Sequence, residues 1–210
     1  MESTSPGTAD GAMAGAAETT RIAARIVDVL ILAPSEDGTA DGPLASTFPA
    51  RWRVLALRRA AHTRCTGAWE IVHGRIEAGE RPAEAARREV FEETGFTVDR
   101  LYSLSVNPFY LSVTDTVQLA VVYAAVLDRQ DIAVRLSEEH DAARWLTAED
   151  AQQILAWPRE HEAVRHAMWL LRSGDAGAVE DVLLTASPPP RASAPAPVPA
   201  PPVAAPDSSR

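Results

Sequence analysis

The stretch GRIEAGERPAEAARREVFEETGF, residues 74–96, places three glutamates within five positions of one predicted helix. At 100° per residue, Glu89, Glu92 and Glu93 fall within an arc of about 100°. Like charges at this spacing repel each other. The arrangement therefore needs a source of positive charge.

The helix that carries these acids has recognisable ends. Pro82 in the first turn and Gly95 after the last residue predict a helix from 82 to 94. A stripe of small and apolar residues beside the acids is predicted to face the core: Ala83, Ala86, Val90 and Thr94. The carboxylates then lie at the margin of the buried face, where hard oxygen ligands suit Mg²⁺ or Mn²⁺. Taken alone, the cluster could also be a solvated face paired with arginines.

Composition limits the function. The chain has 210 residues, of which 46% are hydrophobic, and a net charge of −9. It is long enough for one domain with a sizeable core, and too acidic to be expected to bind a nucleic acid polymer. All 20 basic residues are arginines, which excludes phosphate loops, Schiff-base enzymes and protein kinases that need a lysine amine. If the substrate is an anion, a metal ion is the expected counter-charge.

Several features indicate a cytoplasmic protein that does not enter a membrane. Cys65 is the single cysteine, so no intrachain disulfide or cysteine-rich zinc site is expected. The longest apolar run, near residues 27–33, is too short to span a bilayer. The first basic residue is Arg21, so the start of the chain lacks the basic region of a signal peptide.

The chain is predicted to have three parts. Residues 1–20 read as a disordered leader, 21–185 as the globular domain, and 186–210 as a disordered Pro/Ala tail that holds nine of the 16 prolines. The tail is either a solvated extension or a docking site for a partner. Within the domain, strands are interleaved with few helices, which favours an α/β fold with a mixed sheet and helices on its faces.

The predicted elements follow apolar runs and turn signals. Strands are expected near 25–32, 51–57, 68–72, 100–106 and 116–127, and again just before Thr147. A long loop is expected at 34–49. Helices are expected from the cap at Thr147 to 155, and over 159–172.

The acidic helix belongs to a longer pattern with fixed spacing. Seven residues fit G-x5-E-x7-R-E-U-x-E-E-x-G-U, with Val90 and Phe96 at the apolar positions U: Gly74, Glu80, Arg88, Glu89, Glu92, Glu93 and Gly95. The chain thereby resembles the Nudix hydrolase family, without departure at any fixed position. The resemblance implies an α/β/α sandwich around a mixed sheet, a loop–helix–loop box, and Mg²⁺-dependent hydrolysis of a nucleoside diphosphate linked to another group.

The resemblance also implies roles within the box. Metal ligands are implied at Gly74, Glu89, Glu92 and Glu93. The three glutamates and Arg88, which would orient a carboxylate, form the implied catalytic group. Structural roles are implied for Glu80, which would anchor the loop to the helix, and for Gly95.

Two stretches outside the box are similar to the branch that hydrolyses dATP or dihydroneopterin triphosphate. They are AWEIVHGRIEAGE, residues 68–80, and SEEHDAARWL, residues 137–146. The second stretch supplies Glu139, His140 and Trp145, which match a later element of that branch, and the resemblance implies Glu139 as a further catalytic acid. With its neighbour Glu138, it could instead be an exposed acidic loop.

We therefore expect a pyrophosphohydrolase of nucleoside triphosphates or related nucleotides that releases a monophosphate and pyrophosphate. One alternative is a pyrophosphatase of ADP-ribose or nucleotide sugars, and another is a non-catalytic nucleotide sensor. His73 is a candidate phosphate contact, or a loop residue with an ordinary hydrogen bond. Trp69 and Tyr110 are candidates for stacking on a base.

Overall fold

The computed structural model describes residues 20–35, 52–130, 132–172 and 182–184. The predicted leader before residue 20 and the predicted tail at 186–210 lie outside the described residues, as does most of the predicted loop at 34–49.

The described residues contain eight strands, three α-helices and one short 3₁₀ turn. The strands are β1 (Arg21–Pro34), β2 (Trp52–Arg59), β3 (Trp69–Glu70), β4 (Val72–Arg75), β5 (Arg100–Leu111), β6 (Thr116–Val126), β7 (His140–Leu146) and β8 (Leu183–Leu184). The helices are α1 (Pro82–Thr94), α2 (Ala148–Ile154) and α3 (Pro158–Leu171), and the 3₁₀ turn is Ser112–Thr114. No helix in this part of the chain has both the length and the apolar character to cross a membrane.

The predicted helix ends are confirmed, and their caps explain them. In α1 the Glu84 carboxylate accepts a hydrogen bond from the backbone N–H of Arg81 at 2.9 Å. Gly95 ends this helix in the left-handed region with φ 76°, which glycine adopts at little cost. In α2 the Thr147 hydroxyl accepts from the backbone N–H of Asp150 at 3.0 Å, as an N-cap side chain should.

The predicted strand at 68–72 differs from the observed structure. It is divided into β3 and β4 at Ile71, because the two pieces pair with different strands: β3 with β2, and β4 with β1. The second piece, β4, carries Gly74 of the box. Two further strands extend beyond their predicted ends, since β5 runs on to Leu111 and β1 begins at Arg21.

The sheet is mixed, as predicted. Its order is β3-β2-β1-β6-β5-β8, with β4 also paired to β1 and β7 to β2. Strands β1 and β6 run parallel, and every other pair of named strands is antiparallel. Strand β1 therefore lies in the middle of the sheet and carries the residues around which both faces are built.

Each face of the sheet has its own apolar core. One core joins the sheet to α1 through residues that include Val27, Val29, Leu55, Val72, Ala86 and Val90. The other joins it to α2 and α3 through residues that include Leu30, Leu32, Ile71, Ala151, Val164 and Met168. The chain is thus an α/β/α sandwich, and α1 with its acidic residues is held on one face of the sheet by the burial of its alanine and valine side chains.

Candidate active site

Glu89 lies directly against the backbone of β4. Its Oε1 accepts a hydrogen bond from the backbone N–H of Arg75 at 3.0 Å. A Cβ atom added to Gly74 would lie 1.9 Å from the Glu89 Cδ atom, which is far inside contact distance. Only glycine at position 74 allows α1 to bring this carboxylate onto the strand.

Arg88 connects the carboxylates of the box. Its guanidinium donates to both oxygens of Glu80 at 3.0 and 2.9 Å, to Glu89 at 2.9 Å and to Glu92 at 3.1 Å. It also donates to the carbonyl oxygen of Arg75 at 2.8 Å. Hydrogen bonds from Arg88 are the largest cause of a lowered pKa of Glu80. The planar fork of arginine suits this many acceptors, whereas a lysine ammonium has only three donors.

The three glutamates of the predicted arc are buried to different degrees. Glu93 is 6% exposed, the Glu89 side chain is 13% exposed, and the Glu92 side chain is 54% exposed. The arc therefore runs from the core to solvent across the width of the helix. The prediction that the acids lie at the margin of the buried face describes Glu89 best, since Glu93 is inside and Glu92 outside.

Glu93 is a buried acid with one oxygen unpartnered. Its Oε2 is buried and makes no hydrogen bond. Burial raises the pKa of Glu93 well above its usual value, repulsion from Glu89 and Glu70 raises it further, and a backbone interaction with His73 opposes the rise. Burial also raises the pKa of Glu89, against the opposing effect of Arg88. A cation near these two acids would relieve both the repulsion and the lost solvation.

The box has the chemistry of a divalent metal site, although its acids are not gathered around one point. Among the described residues, no three His, Cys, Asp or Glu side chains converge as a ready set of ligands. Arg88 Nη1 instead binds both Glu89 and Glu92. The unpartnered oxygen of Glu93, and the carboxylate of Glu89 over the Gly74 backbone, are hard donors that fit Mg²⁺ or Mn²⁺. Glu89, Glu92 and Glu93 are therefore the residues that would hold such an ion.

Glu139 lies outside the box on an exposed loop before β7. Its side chain is 61% exposed, and its Oε2 accepts from Arg59 at 3.4 Å. Arg59 also donates to Glu70 at 2.7 Å, and the ring of His140 lies between Glu70 and Glu93, 3.2 and 3.8 Å from their carboxylates. A chain of polar contacts thus connects Glu139 with the box through Arg59 and Glu70, which the sequence did not indicate as site residues, and through His140, which belongs to the branch-like stretch.

A second polar cluster joins β1, β4 and α3. Asp28, 1% exposed, sits on β1 between His73 and Arg159 and is 2.6 Å from each. Burial raises the pKa of Asp28, but the contacts with His73 and Arg159 outweigh it, so the net pKa is lowered. Next to Arg159, the fully buried Glu160 accepts from the backbone N–H groups of Ile71 and Trp157. One sequence signal marks this cluster, a single acid inside the apolar strand RIVDVLIL.

The other three sequence candidates, His73, Trp69 and Tyr110, contact side chains of this chain. His73 bonds to Asp28 through its ring. Trp69 is contacted by the guanidinium groups of Arg144 and Arg58, 4.8 and 5.9 Å from the ring centroid. Tyr110 is exposed at the end of β5, where its hydroxyl donates to Asp115 at 3.0 Å. Arginines therefore stack on Trp69 in this structure.

Comparison with known proteins identifies the family. The NUDIX domain model matches residues 45–167, which is more than half of the chain. The chain is 38% identical over 116 residues to an octanoyltransferase of Myxococcus xanthus, covering 55% of this chain and 32% of that protein. It is 35% identical over 88 residues to the asymmetrical bis(5'-nucleosyl)-tetraphosphatase of Rattus norvegicus, covering 41% of this chain and 60% of that protein.

A solved structure agrees with this assignment. A Nudix hydrolase from Listeria monocytogenes superposes with a TM-score of 0.56 at 26% sequence identity, covering 71% of this chain and 95% of that one. The chain spans less than two thirds of the length of the two curated relatives. The family model, the shared fold and the intact box lead to one conclusion: the chain belongs to the Nudix family.

Proposed function

We propose that the protein hydrolyses a phosphoric anhydride bond in a nucleoside triphosphate or a related nucleotide, with Mg²⁺ or Mn²⁺ held by the box. The pair Glu89 and Glu93 carries the proposal. One carboxylate lies on the Gly74 backbone and the other has a buried oxygen without a partner. Two raised carboxyl pKa values beside each other, on a net acidic chain, are what a cation-dependent site for an anionic substrate requires.

The residues of the box would have separate roles. When bound, the metal ion would neutralise phosphate oxygens and lower the pKa of a water molecule. Glu89, Glu92 and Glu93 would hold that ion. Arg88 would keep Glu89 and Glu92 in place, because its guanidinium contacts both. Gly74 would leave the space that Glu89 occupies.

The reaction we propose is a displacement at phosphorus. The oxygen of a water molecule forms the new bond to phosphorus, and the bridging bond to the leaving oxygen breaks. Pyrophosphate departs with that oxygen, and the proton of the water passes to a carboxylate. We assign this carboxylate to Glu139, because Arg59 ties it to the network that reaches Glu93, while its exposure leaves it open to a substrate.

Glu139 and Glu138 form a matched pair for testing that assignment. Both are exposed, and a hydrogen bond to Arg59 distinguishes Glu139. We expect Glu139→Gln to lower kcat by roughly 10²–10⁴-fold, the range for a lost general base, and Glu138→Gln to lower it less than threefold. The measurement is kcat at saturating substrate and Mg²⁺. Equal, small effects in both variants would remove Glu139 from the mechanism.

The substrate class is tested by a release assay on the purified full chain with Mg²⁺. The panel contains dATP, dihydroneopterin triphosphate, ADP-ribose and a bis(5'-nucleosyl) tetraphosphate, and the readouts are pyrophosphate and phosphate. We expect the triphosphates to release pyrophosphate with a higher kcat/KM than ADP-ribose. The branch-like stretches at 68–80 and 137–146 support this order.

Each other outcome of this assay would favour an alternative function. A tenfold preference for ADP-ribose would move the protein to the nucleotide-sugar class. A preference for the tetraphosphate would follow the relative from Rattus norvegicus, whose name states that activity. Binding without turnover on any compound would identify a nucleotide sensor. The lone cysteine and the absence of a long apolar run support the further proposal that the protein acts in the cytoplasm.

A further inference from the structure

The loop before β7, residues 132–139, is docked on the C-terminal end of α1. The backbone N–H of Arg135 donates to the carbonyl oxygen of Thr94 at 2.9 Å, and the backbone N–H of Ser137 donates to that of Glu93 at 3.3 Å. The last carbonyl oxygens of a helix have no partner within the helix itself. The loop therefore caps the helix that carries the acids of the box.

Side chains of the loop add to this contact. Val134 and Leu136 pack against the apolar core on the α1 face of the sheet, while Arg135, between them in the chain, is exposed. The guanidinium carbon of Arg135 lies 5.6 Å from the centroid of the Phe91 ring, within the range of a cation–π contact. Phe91 is 48% exposed, so this contact can be removed without opening the core.

Gly95 leaves the space that Arg135 occupies. A Cβ atom added to Gly95 would lie 3.1 Å from the Arg135 Cβ atom and 3.3 Å from its Nε atom, which is tighter than ordinary contact. The stem of Arg135 therefore runs directly across the end of α1. The glycine that ends the helix through its positive φ thus has a second reason to be there, and with Phe91 it forms the seat of Arg135.

The same loop holds Glu139 from its other side. The backbone N–H of Ala60, just after β2, donates to the carbonyl oxygen of Glu139 at 2.9 Å, and Arg59 donates to its carboxylate at 3.4 Å. Glu139 follows Arg135 by four residues, so it lies between a contact with α1 and a contact with the end of β2. A misplacement of about 1 Å at a catalytic group can cost up to about a hundredfold in rate.

We propose that Arg135 is a positioning residue: by stacking on Phe91 and lying over Gly95, it fixes Glu139 relative to the acids of α1. The inference rests on the proposed function, because it acts through the acid to which that function assigns the proton of the water. Arg135 itself contacts neither the metal ion nor the substrate in this assignment. Its effect must therefore disappear when Glu139 can no longer accept a proton.

A double-mutant cycle tests this requirement. We expect Arg135→Ala to lower kcat roughly tenfold in the wild-type background, with KM within twofold, and to have no further effect on the residual kcat of Glu139→Gln. The substrate is whichever nucleotide of the panel is turned over fastest. An equal loss in both backgrounds would overturn the proposal, because Arg135 would then act elsewhere, and so would an unchanged kcat in the wild-type background.

Hydrogen exchange tests the docking itself and needs neither metal nor substrate. The reporter is the backbone amide of Ser137, followed by NMR in the full chain, since Arg135→Ala alters neither Ser137 nor Leu136 before it. We expect exchange to be about two- to fivefold faster in the variant, the change that corresponds to the loss of one exposed cation–π contact. Equal exchange rates in the two proteins would overturn the proposal.

Two further variants separate the contact from a general effect. Phe91→Ala removes the other partner, so it should lower kcat by the same factor, and the double variant with Arg135→Ala should be no worse than either alone. Arg172→Ala is the matched control, because Arg172 stacks on the exposed Trp169 at 4.4 Å, on α3. It should leave kcat and the exchange of Ser137 unchanged.

The proposed function and this inference can fail separately. Binding of Mn²⁺ alone, followed by electron paramagnetic resonance, should be the same in Arg135→Ala and wild type, because the acids of α1 are untouched. A tenfold weaker affinity would mean that Arg135 acts on the metal site and would overturn the proposal. A wild-type protein that hydrolyses no nucleotide would refute the proposed function, and the exchange of Ser137 would then decide whether Arg135 holds the loop.

Discussion

Glu93 and Asp28 are both buried carboxylates beside His73, one on each face of the sheet, and their surroundings are opposite. Asp28 accepts from the ring of His73 and from Arg159, each at 2.6 Å, and its pKa is lowered. Burial and repulsion from three nearby carboxylates raise the pKa of Glu93, against a backbone interaction with His73. Asp28 thus has an arginine as its counter-charge, whereas the neighbours that affect Glu93 most are other acids.

The difference separates a structural ion cluster from a candidate functional site. An acid that is fully paired by its own chain needs nothing further, and its partners connect β1, β4 and α3. An acid with an unpartnered buried oxygen is held in an unfavourable state that a cation would relieve. A carboxyl group in a folded protein is therefore informative about function when its pKa is raised and no positively charged side chain compensates its charge.

The largest effect is expected on stability, when an ion pair of Asp28 is broken. Arg159→Met removes one of the two partners of Asp28 and leaves a buried carboxylate with incomplete compensation. We expect the free energy of unfolding to fall by about 3 kcal/mol, the lower end of the range for breaking a buried ion pair, since His73 remains. Chemical denaturation measures the change.

Arg165→Met is the control on the same helix, because Arg165 pairs with Glu162 at the surface. Its cost should be within about 1 kcal/mol. Equal losses in the two variants would mean that Asp28 does not depend on its partner, and the contrast with Glu93 would disappear.

Substitution of Glu93 should change activity rather than the stability of the metal-free protein. Glu93→Gln removes a charge that burial already disfavours, so the metal-free melting temperature should not fall. Turnover should fall at least about a hundredfold, as for the loss of a charge-stabilising group. The wild type should gain about 2.7 kcal/mol of stability at a Mg²⁺ concentration of 100 times Kd, and the variant should gain much less.

Glu162→Gln on the exposed face of α3 is the control for this experiment and should behave as wild type. A Glu93→Gln protein with full turnover and the wild-type response to Mg²⁺ would break the comparison, because the unpartnered oxygen would then have no role.

A smaller effect, spread over pH, is expected from Glu160. Burial raises the pKa of Glu160 from 4.5 to about 8. The folded protein therefore binds this proton more tightly than the unfolded chain, so the stabilisation is complete below about pH 4.5 and is lost as pH rises toward 8. The slope from this group is at most about 1.4 kcal/mol per pH unit.

Glu160→Gln should flatten that slope, because glutamine has no proton to lose. Unfolding free energies of the two proteins from pH 5 to 8 measure the difference. Parallel curves would show that Glu160 is ionised in the folded state, and it would then resemble Asp28 rather than Glu93.

The sequence predicted the local features of the site better than its tertiary contacts. Helix α1 and the cap at Thr147 are confirmed because they depend on short-range rules for Pro, Gly and Thr. The mixed sheet with helices on both faces is also confirmed. The pattern of the box named both Gly74 and Glu89, but it did not predict that the Glu89 carboxylate lies against the Gly74 backbone.

The contacts that needed tertiary structure were missed. Glu70 and His140 are 70 positions apart in the chain and meet only because β2 pairs with both β3 and β7. Asp28 and Arg159 are 131 positions apart. No periodicity joins such pairs, and the one local signal was an acid in a strand that is otherwise apolar.

The position of β1 has a consequence for how the molecule is made. Leu32 is paired with Val126, 94 residues later, and β7, which carries His140, follows β6 in the chain. Contacts of such long sequence separation slow folding. During synthesis α1 emerges from the ribosome after β1 and β4, against which it packs, but before β7, so the ring of His140 is not yet in place beside Glu93. The surroundings that distinguish Glu93 from Asp28 are therefore complete only after roughly 50 residues beyond α1 have been synthesised, so the proposed metal site would be completed late in the synthesis of each chain.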